Sequence, residues 1–177
     1  MKYLLKLYDH IVTLMAYFAA FLLAFMTGSI AYQVVTRYLF NSPTIWVNDL
    51  TEYILLGATF LGGAFVLKEG KHISVDLIIG KLNIRKKLVF DSVSSFLGAL
   101  VCLILTGYSL VVVWENFQRN IIVIKTIETP KYLVLLPIFI GSLLMTIQFI
   151  LNVKTKFVQL RNIDKEAGEM EKTIELL

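Results

Sequence analysis

The chain is 177 residues long, 57% hydrophobic and only 17% charged, with a mean hydropathy of +0.73; soluble domains are roughly 45–50% apolar, so this composition excludes a water-soluble globule and makes a bilayer the expected solvent. The net charge of +4 and pI near 9.1 do not indicate nucleic acid, because the basic residues flank apolar segments and lack interleaved aromatics for base stacking. The single cysteine, Cys102, sits in an apolar run and excludes an intrachain disulfide and a cysteine-based metal site.

The first charge-free run covers 26 residues, Ile11 to Thr36. Lys2 and Lys6 precede it and Ser29-Ile30-Ala31 loosely mimics a cleavage site, but a secretory apolar region has only about 7–15 residues, so the run reads as a retained spanning helix. Asn41-Ser42-Pro43 stops it, with Ser42 as N-cap and Pro43 at the first position of the next helix. The second run, Tyr53 to Leu67, has 15 residues, too few for a hydrocarbon core about 30 Å thick at about 1.5 Å per residue. A helix over Ile45 to Leu67 is long enough and places Asp49 and Glu52 in its outer turns. From Lys68 to Asp91, residues such as Ile73, Val75, Leu77, Leu82 and Ile84 are threaded among charges, which predicts a connector lying along the membrane surface.

The third run, Ser92 to Trp114, has 23 residues and the fourth, Tyr132 to Val153, has 22. Thr129-Pro130 opens the fourth as Ser42-Pro43 opens the second. Beyond Lys154, apolar residues recur three or four apart at Phe157, Leu160, Ile163, Ala167, Met170, Ile174 and Leu177, so the fourth helix continues as a stripe that is either a solvated end or a docking surface. The expected fold is an all-α integral membrane protein: a four-helix transmembrane domain over 1–156 with an interfacial connector between helices two and three, and a helical tail over 157–177. No internal repeat is visible, so inverted-repeat transporter architecture has no support.

Orientation follows from Lys and Arg. Lys2 and Lys6, six residues from Lys68 to Lys87, and five from Lys154 to Lys172 fall on one side, against Arg37, Arg119, Lys125 and Lys131 on the other. This 13 to 4 bias predicts an inner-membrane protein with both termini and the central loop in the cytoplasm, and a cytoplasmic tail.

A charge at the centre of a spanning helix costs about 2.5–3.5 kcal/mol on insertion scales and marks transport or proton relay; none of the four runs carries one. Thr27, Ser29, Thr106, Ser142, Thr146 and Gln148 are instead of the kind that bond a neighbouring helix or the local backbone. The two histidines, His10 and His72, lie near segment ends and do not supply the facing pair that a buried haem needs. Motifs of hydrolases, zinc proteases, phosphate loops and thiol-redox sites are missing, and the chain reads as no enzyme. Small residues four apart, Ala58 and Gly62, Thr59 and Gly63, then Ser94, Gly98, Cys102 and Thr106, predict close helix contacts within the chain or with another membrane subunit. Arg37, Asp49 and Glu52 are expected near the outer interface, paired with one another or reaching separately to water. His72 and Asp76 form an i, i+4 pair if their segment is helical.

In order, Arg37-Tyr38-Leu39-Phe40-Asn41, Trp46 with Asp49 and Glu52, Leu61-Gly62-Gly63-Ala64, His72-Ile73-Ser74-Val75-Asp76, then Thr129-Pro130 and Leu136-Pro137-Ile138 resemble the small membrane subunit of tripartite ATP-independent periplasmic (TRAP) transporters. The family pattern carries adjacent acidic residues after the tryptophan, whereas here Asn48 precedes Asp49, leaving Asp49 and Glu52 as candidates for that role. The resemblance implies a bacterial inner-membrane scaffold working with a large multi-spanning subunit, which holds the sodium and substrate sites, and with a periplasmic protein that delivers an organic acid such as a C4-dicarboxylate or sialic acid. It further implies that the chain itself binds no cofactor, and that the moving part is an elevator-like domain of the large subunit. The outer loop from Glu115 to Lys131, with its apolar Ile121 to Ile124, is a candidate to dock the binding protein. The competing class is the membrane anchor of an oxidoreductase, for which the chain offers almost no ligands.

Overall fold

The computed structural model describes residues 2–42, 44–69 and 84–175. Helix α1 runs from Lys2 to Leu39 and α2 from Trp46 to Glu69; α3 covers Ile84–Gln118 and α4 covers Lys131–Glu175. Between α3 and α4, strands β1 (Ile122–Val123) and β2 (Thr129–Pro130) form a minimal antiparallel hairpin, Ile122 opposite Pro130 and Val123 opposite Thr129. Four windows, Leu5–Leu39, Trp46–Glu69, Leu88–Gln118 and Lys131–Arg161, are long and apolar enough to cross a membrane. Four crossings return the chain to its starting side, so one end of the molecule carries the termini and the other the hairpin.

The helices run past the charge-free runs at both ends, taking charged residues into their outer turns, and they stop where the backbone has another option. At the end of α1, Asn41 adopts a left-handed φ of 49°, a conformation asparagine tolerates better than most residues, and the Ser42 amide donates back to the Thr36 carbonyl at 3.3 Å. Helix α2 then opens at Trp46, one residue after the Ile45 expected from span length and three after the Pro43 that the capping signal alone offers. The intervening chain is tied to α1 instead: Gln33 Nε2 donates to the Thr44 carbonyl (3.2 Å) and to Asn48 Oδ1 (3.0 Å), and the Thr36 and Thr44 hydroxyls lie 2.9 Å apart. Thr129-Pro130 likewise forms a strand pair rather than a cap, with Lys131 N donating to the Ile121 carbonyl at 2.9 Å as α4 begins.

In cross-section α1 packs chiefly on α2, α2 on α4, and α4 most extensively on α3. The order is therefore α1, α2, α4, α3, with α2 and α4 in the middle. Helix α1 also reaches α4 near the terminal end, where Val12, Ala64 and Leu144 form a buried cluster and the Tyr8 hydroxyl donates to the Leu144 carbonyl at 2.9 Å. Phe21, Val101, Leu103 and many other large apolar side chains point outward, as they do when lipid is the solvent.

Helices α2 and α4 run parallel and meet closely. A Cβ placed on Gly141 would lie 2.3 Å from the Phe60 carbonyl oxygen, and one on Gly57 would touch the Pro137 ring at 3.9 Å. Lipid tails are as apolar as Leu, so helices in a bilayer gain from close backbone packing rather than from expelling water, and a missing side chain is what permits it.

Candidate functional site

Most polar groups at bilayer depth are bonded within the bundle, whereas Tyr53 Oη, Ser92 Oγ and Asn116 Oδ1, nearer the span ends, are buried without a partner among the described residues. Thr27 donates to the Leu23 carbonyl, Ser29 to Phe25, Thr106 to Cys102, Ser142 to Phe139 and Thr146 to Ser142, at 2.7 to 3.1 Å. Thr106 and Thr146 face each other across α3 and α4 at 3.4 Å, and Gln148 donates to Asn152 at 3.1 Å. Hydroxyls returning a proton to the carbonyl one turn back have committed their single donor to the helix itself. Among the described residues no three His, Cys, Asp or Glu side chains converge as a metal set would require.

Charge chemistry is confined to the two ends. At the hairpin end, Asp49 and Glu52 lie one turn apart at the start of α2 and hold consecutive residues of the hairpin loop. Asp49 Oδ2 accepts from the Thr126 amide at 2.9 Å, and Lys125 Nζ lies 2.5 Å from Glu52 Oε2. The ammonium also sits 5.5 Å from the centroid of the Tyr53 ring, within cation–π range. The hydrogen bond to Glu52 raises the Lys125 pKa above the ordinary lysine value; lost hydration opposes the shift, and the negative charges of Glu52, Tyr53 and Asp49 reinforce it. Held this way, the loop presents Ile124, which is 91% exposed. Phe117 packs edge-on against Tyr132 at 5.3 Å, with Trp114 beside it at 6.3 Å, the kind of aromatic belt that marks a bilayer interface.

Of the predicted residues, the structure thus brings Asp49 and Glu52 together, through the hairpin rather than through Arg37. Arg37 is exposed and takes no part in the ion pairs seen among the described residues. Trp46 shares a recess with Tyr32, Thr36, Phe40, Thr44 and Thr126, beside the same loop. A Cβ placed on Gly62 would lie 3.6 Å from the Ala19 methyl of α1, and one on Gly63 would meet the Met145 side chain of α4, so the pair separates two helix contacts. Pro130 ends the hairpin and Pro137 sits at the crossing of α2 and α4. His72, Asp76 and residues 70–83 of the expected interfacial connector fall outside the described residues, whereas its ends, 68–69 and 84–91, belong to α2 and α3 rather than to a connector.

Several partners had no signal in the sequence. Lys125 and Thr126 are 73 and 77 residues from the carboxylates they meet. At the terminal end, Lys68 pairs with Asp9 at 2.9 Å. Lys156 pairs with Asp91, whose side chain is only 7% exposed. Read as sequence, Lys156 belonged only to the topogenic basic cluster. Gly141, where a Cβ would meet the Phe60 backbone, lacks a small residue four positions away and so escapes the spacing rule.

The family model for the DctQ component of tripartite ATP-independent periplasmic transporters matches residues 26–159, well over half of the chain. The chain belongs to this family. As a TRAP small permease it is similar to a putative TRAP transporter small permease protein of Haemophilus influenzae, 26% identical over 100 residues that cover 56% of this chain and 60% of the relative. It is 27% identical over 101 residues to the sialic acid TRAP transporter small permease protein SiaQ of Vibrio cholerae, covering 56% and 55% of the two chains. The C4-dicarboxylate TRAP transporter small permease protein DctQ of Vibrio cholerae is 27% identical over 103 residues, covering 55% and 43%. The aligned region spans 60% or less of the length of each of these relatives. The TRAP small permease is a multi-pass inner-membrane protein and not an enzyme. All ten predicted residues lie inside the family match.

Proposed function

We propose that this small permease is the static subunit of a sodium-coupled, binding-protein-dependent importer of a carboxylate-bearing solute. It braces the large permease, which holds the sodium and substrate sites and moves against it, and it binds no cofactor of its own. Both termini lie in the cytoplasm, the transmembrane domain ends near residue 156, and the hairpin faces the periplasm, where the loop held by Asp49 and Glu52 helps to dock the loaded binding protein. Sialic acid and C4-dicarboxylates are the solutes named for its relatives, and both carry carboxylates.

The observation that carries this reading is the allocation of polar groups: hydroxyls at membrane depth are bonded to their own helices, whereas the charged groups that reach between segments sit at the ends. Such a unit suits bracing and docking better than solvating an ion at the midplane. Reconstitution with component omission tests it. Vesicles holding this chain alone should show no sodium-driven uptake, and adding the large permease and substrate-loaded binding protein should restore it. Equal uptake by the permease and binding protein without this chain would remove the bracing role.

A further inference from the structure

The span of α2 sets the depth of the hairpin. A hydrocarbon core about 30 Å thick needs about 20 helical residues, and counted back from Leu67, the last residue before Lys68, these reach about as far as Asn48. Asp49 and Glu52 therefore lie at the hydrocarbon boundary, where unpaired carboxylates are costly. Their partners come from the hairpin tip. The Thr126 amide donates to Asp49 Oδ2 at 2.9 Å and Lys125 Nζ lies 2.5 Å from Glu52 Oε2, so a backbone bond as well as a side chain draws the tip down to this level. Helix α3 marks the boundary independently, because its charge-free run ends at Trp114, and Trp114 and Phe117 both point outward, as aromatic side chains do at a bilayer surface.

Beside the clasped residues the tip offers apolar surface: Ile124 is 91% exposed and Ile122 51%. The undescribed residues cannot cover it. Residues 70–83 join the far ends of α2 and α3, and a stretch of that length that must go out and return reaches about 25 Å even when fully extended. Helix α3, with 35 residues, is about 52 Å long at about 1.5 Å per residue. The undescribed side chains near both termini belong to that far end too, and at the hairpin end Pro43 alone is undescribed, one ring against two isoleucines. Depth then selects the occupant. A soluble binding protein approaches through water, whereas lipid already surrounds the bundle at the boundary, and apolar side chains held there leave water for acyl chains without any partner protein.

We infer that the clasp of Asp49 and Glu52 presses the hairpin tip into the bilayer surface, where Ile124 and Ile122 sit among the acyl chains next to the headgroups and anchor the link between α3 and α4 to lipid. The apolar edge is thereby taken, and the loop's exposed polar residues, Thr126 and Glu128, are left for the binding protein. The inference depends on which end of the spans the hairpin occupies and not on the side that end faces, so it stands or falls apart from the subunit reading. The test places a nitroxide at Ile124→Cys or at Glu128→Cys of the full-length chain in a Cys102→Ser background. Each is reconstituted into vesicles of phosphatidylethanolamine and phosphatidylglycerol, alone and together with the large permease. Collisions with oxygen, which concentrates among acyl chains, are compared with collisions with a water-soluble nickel chelate supplied on both sides. In both preparations the ratio of oxygen to nickel collisions should be several-fold higher at 124 than at 128, and adding Asp49→Ala/Glu52→Ala should lower the ratio at 124 toward that at 128. Equal ratios at the two positions in the otherwise unmodified chain would overturn the lipid contact. A ratio at 124 unmoved by loss of the carboxylates would overturn the clasp. Shielding of position 124 from both probes once the permease is present would give this surface to a protein and overturn the inference as well.

Discussion

Glycine 141 and the pair Asp91–Lys156 are where single side chains matter most. At Gly141 any Cβ collides with the backbone of Phe60, which cannot swing aside as a side-chain tip can, so Gly141→Ala should destabilise the protein by about 1–3 kcal/mol, the usual range for overpacking. Gly62→Ala, which meets only the Ala19 methyl at ordinary contact distance, should be nearly neutral in the same detergent melting assay. Equal effects would place the tight crossing of α2 and α4 elsewhere. For the ion pair, Asp91→Ala leaves a largely buried Lys156 uncompensated and should cost about 3–5 kcal/mol, whereas Asp91→Leu with Lys156→Met should recover much of that loss, since a buried pair contributes little net stability over apolar residues of similar size. A double variant as unstable as Asp91→Ala would contradict this.

The hairpin is an element whose position depends on α2. With a pKa raised above the ordinary lysine value by Glu52, Lys125 keeps its charge through neutral pH, and the stabilisation this adds is fully present below the unfolded value and lost only as pH rises through the folded one. Amide exchange protection at Thr126 should therefore hold between about pH 7 and about pH 9, below the ordinary lysine value, and Glu52→Gln should reduce it throughout. Protection insensitive to Glu52 would show that the strands alone hold the loop. The spans themselves were legible because charge-free runs of sufficient length leave few alternatives in a bilayer. The second helix needed Asp49 and Glu52 to be accepted as interfacial, which the clasp on Lys125 and Thr126 now explains. Less legible was the capping: Ser42-Pro43 and Thr129-Pro130 are good local caps, but with the Gln33 and Thr36 bonds to the linker and the strand pairing the helices open three residues and one residue past their prolines. Tertiary contacts outweighed a capping preference of about 1 kcal/mol.

At the scale of the whole molecule, two predictions separate orientation from mechanism. The basic bias of 13 to 4 predicts a cytoplasmic central loop, so in a Cys102→Ser background an impermeant thiol reagent added to intact cells should label Gln118→Cys and not Ser74→Cys; the opposite pattern would invert the topology. The central claim is that the coupling ion is bound elsewhere. The most direct measurement is the sodium dependence of uptake by the reconstituted three-component transporter carrying Ser142→Ala/Thr106→Val/Thr146→Val in this chain, which strips the hydroxyls from the seam between α3 and α4. The maximal rate is expected to fall modestly through weakened packing, with the half-saturating sodium concentration and the steepness of the curve unchanged. A clear shift in half-saturation would place part of the sodium site in this subunit and contradict the account.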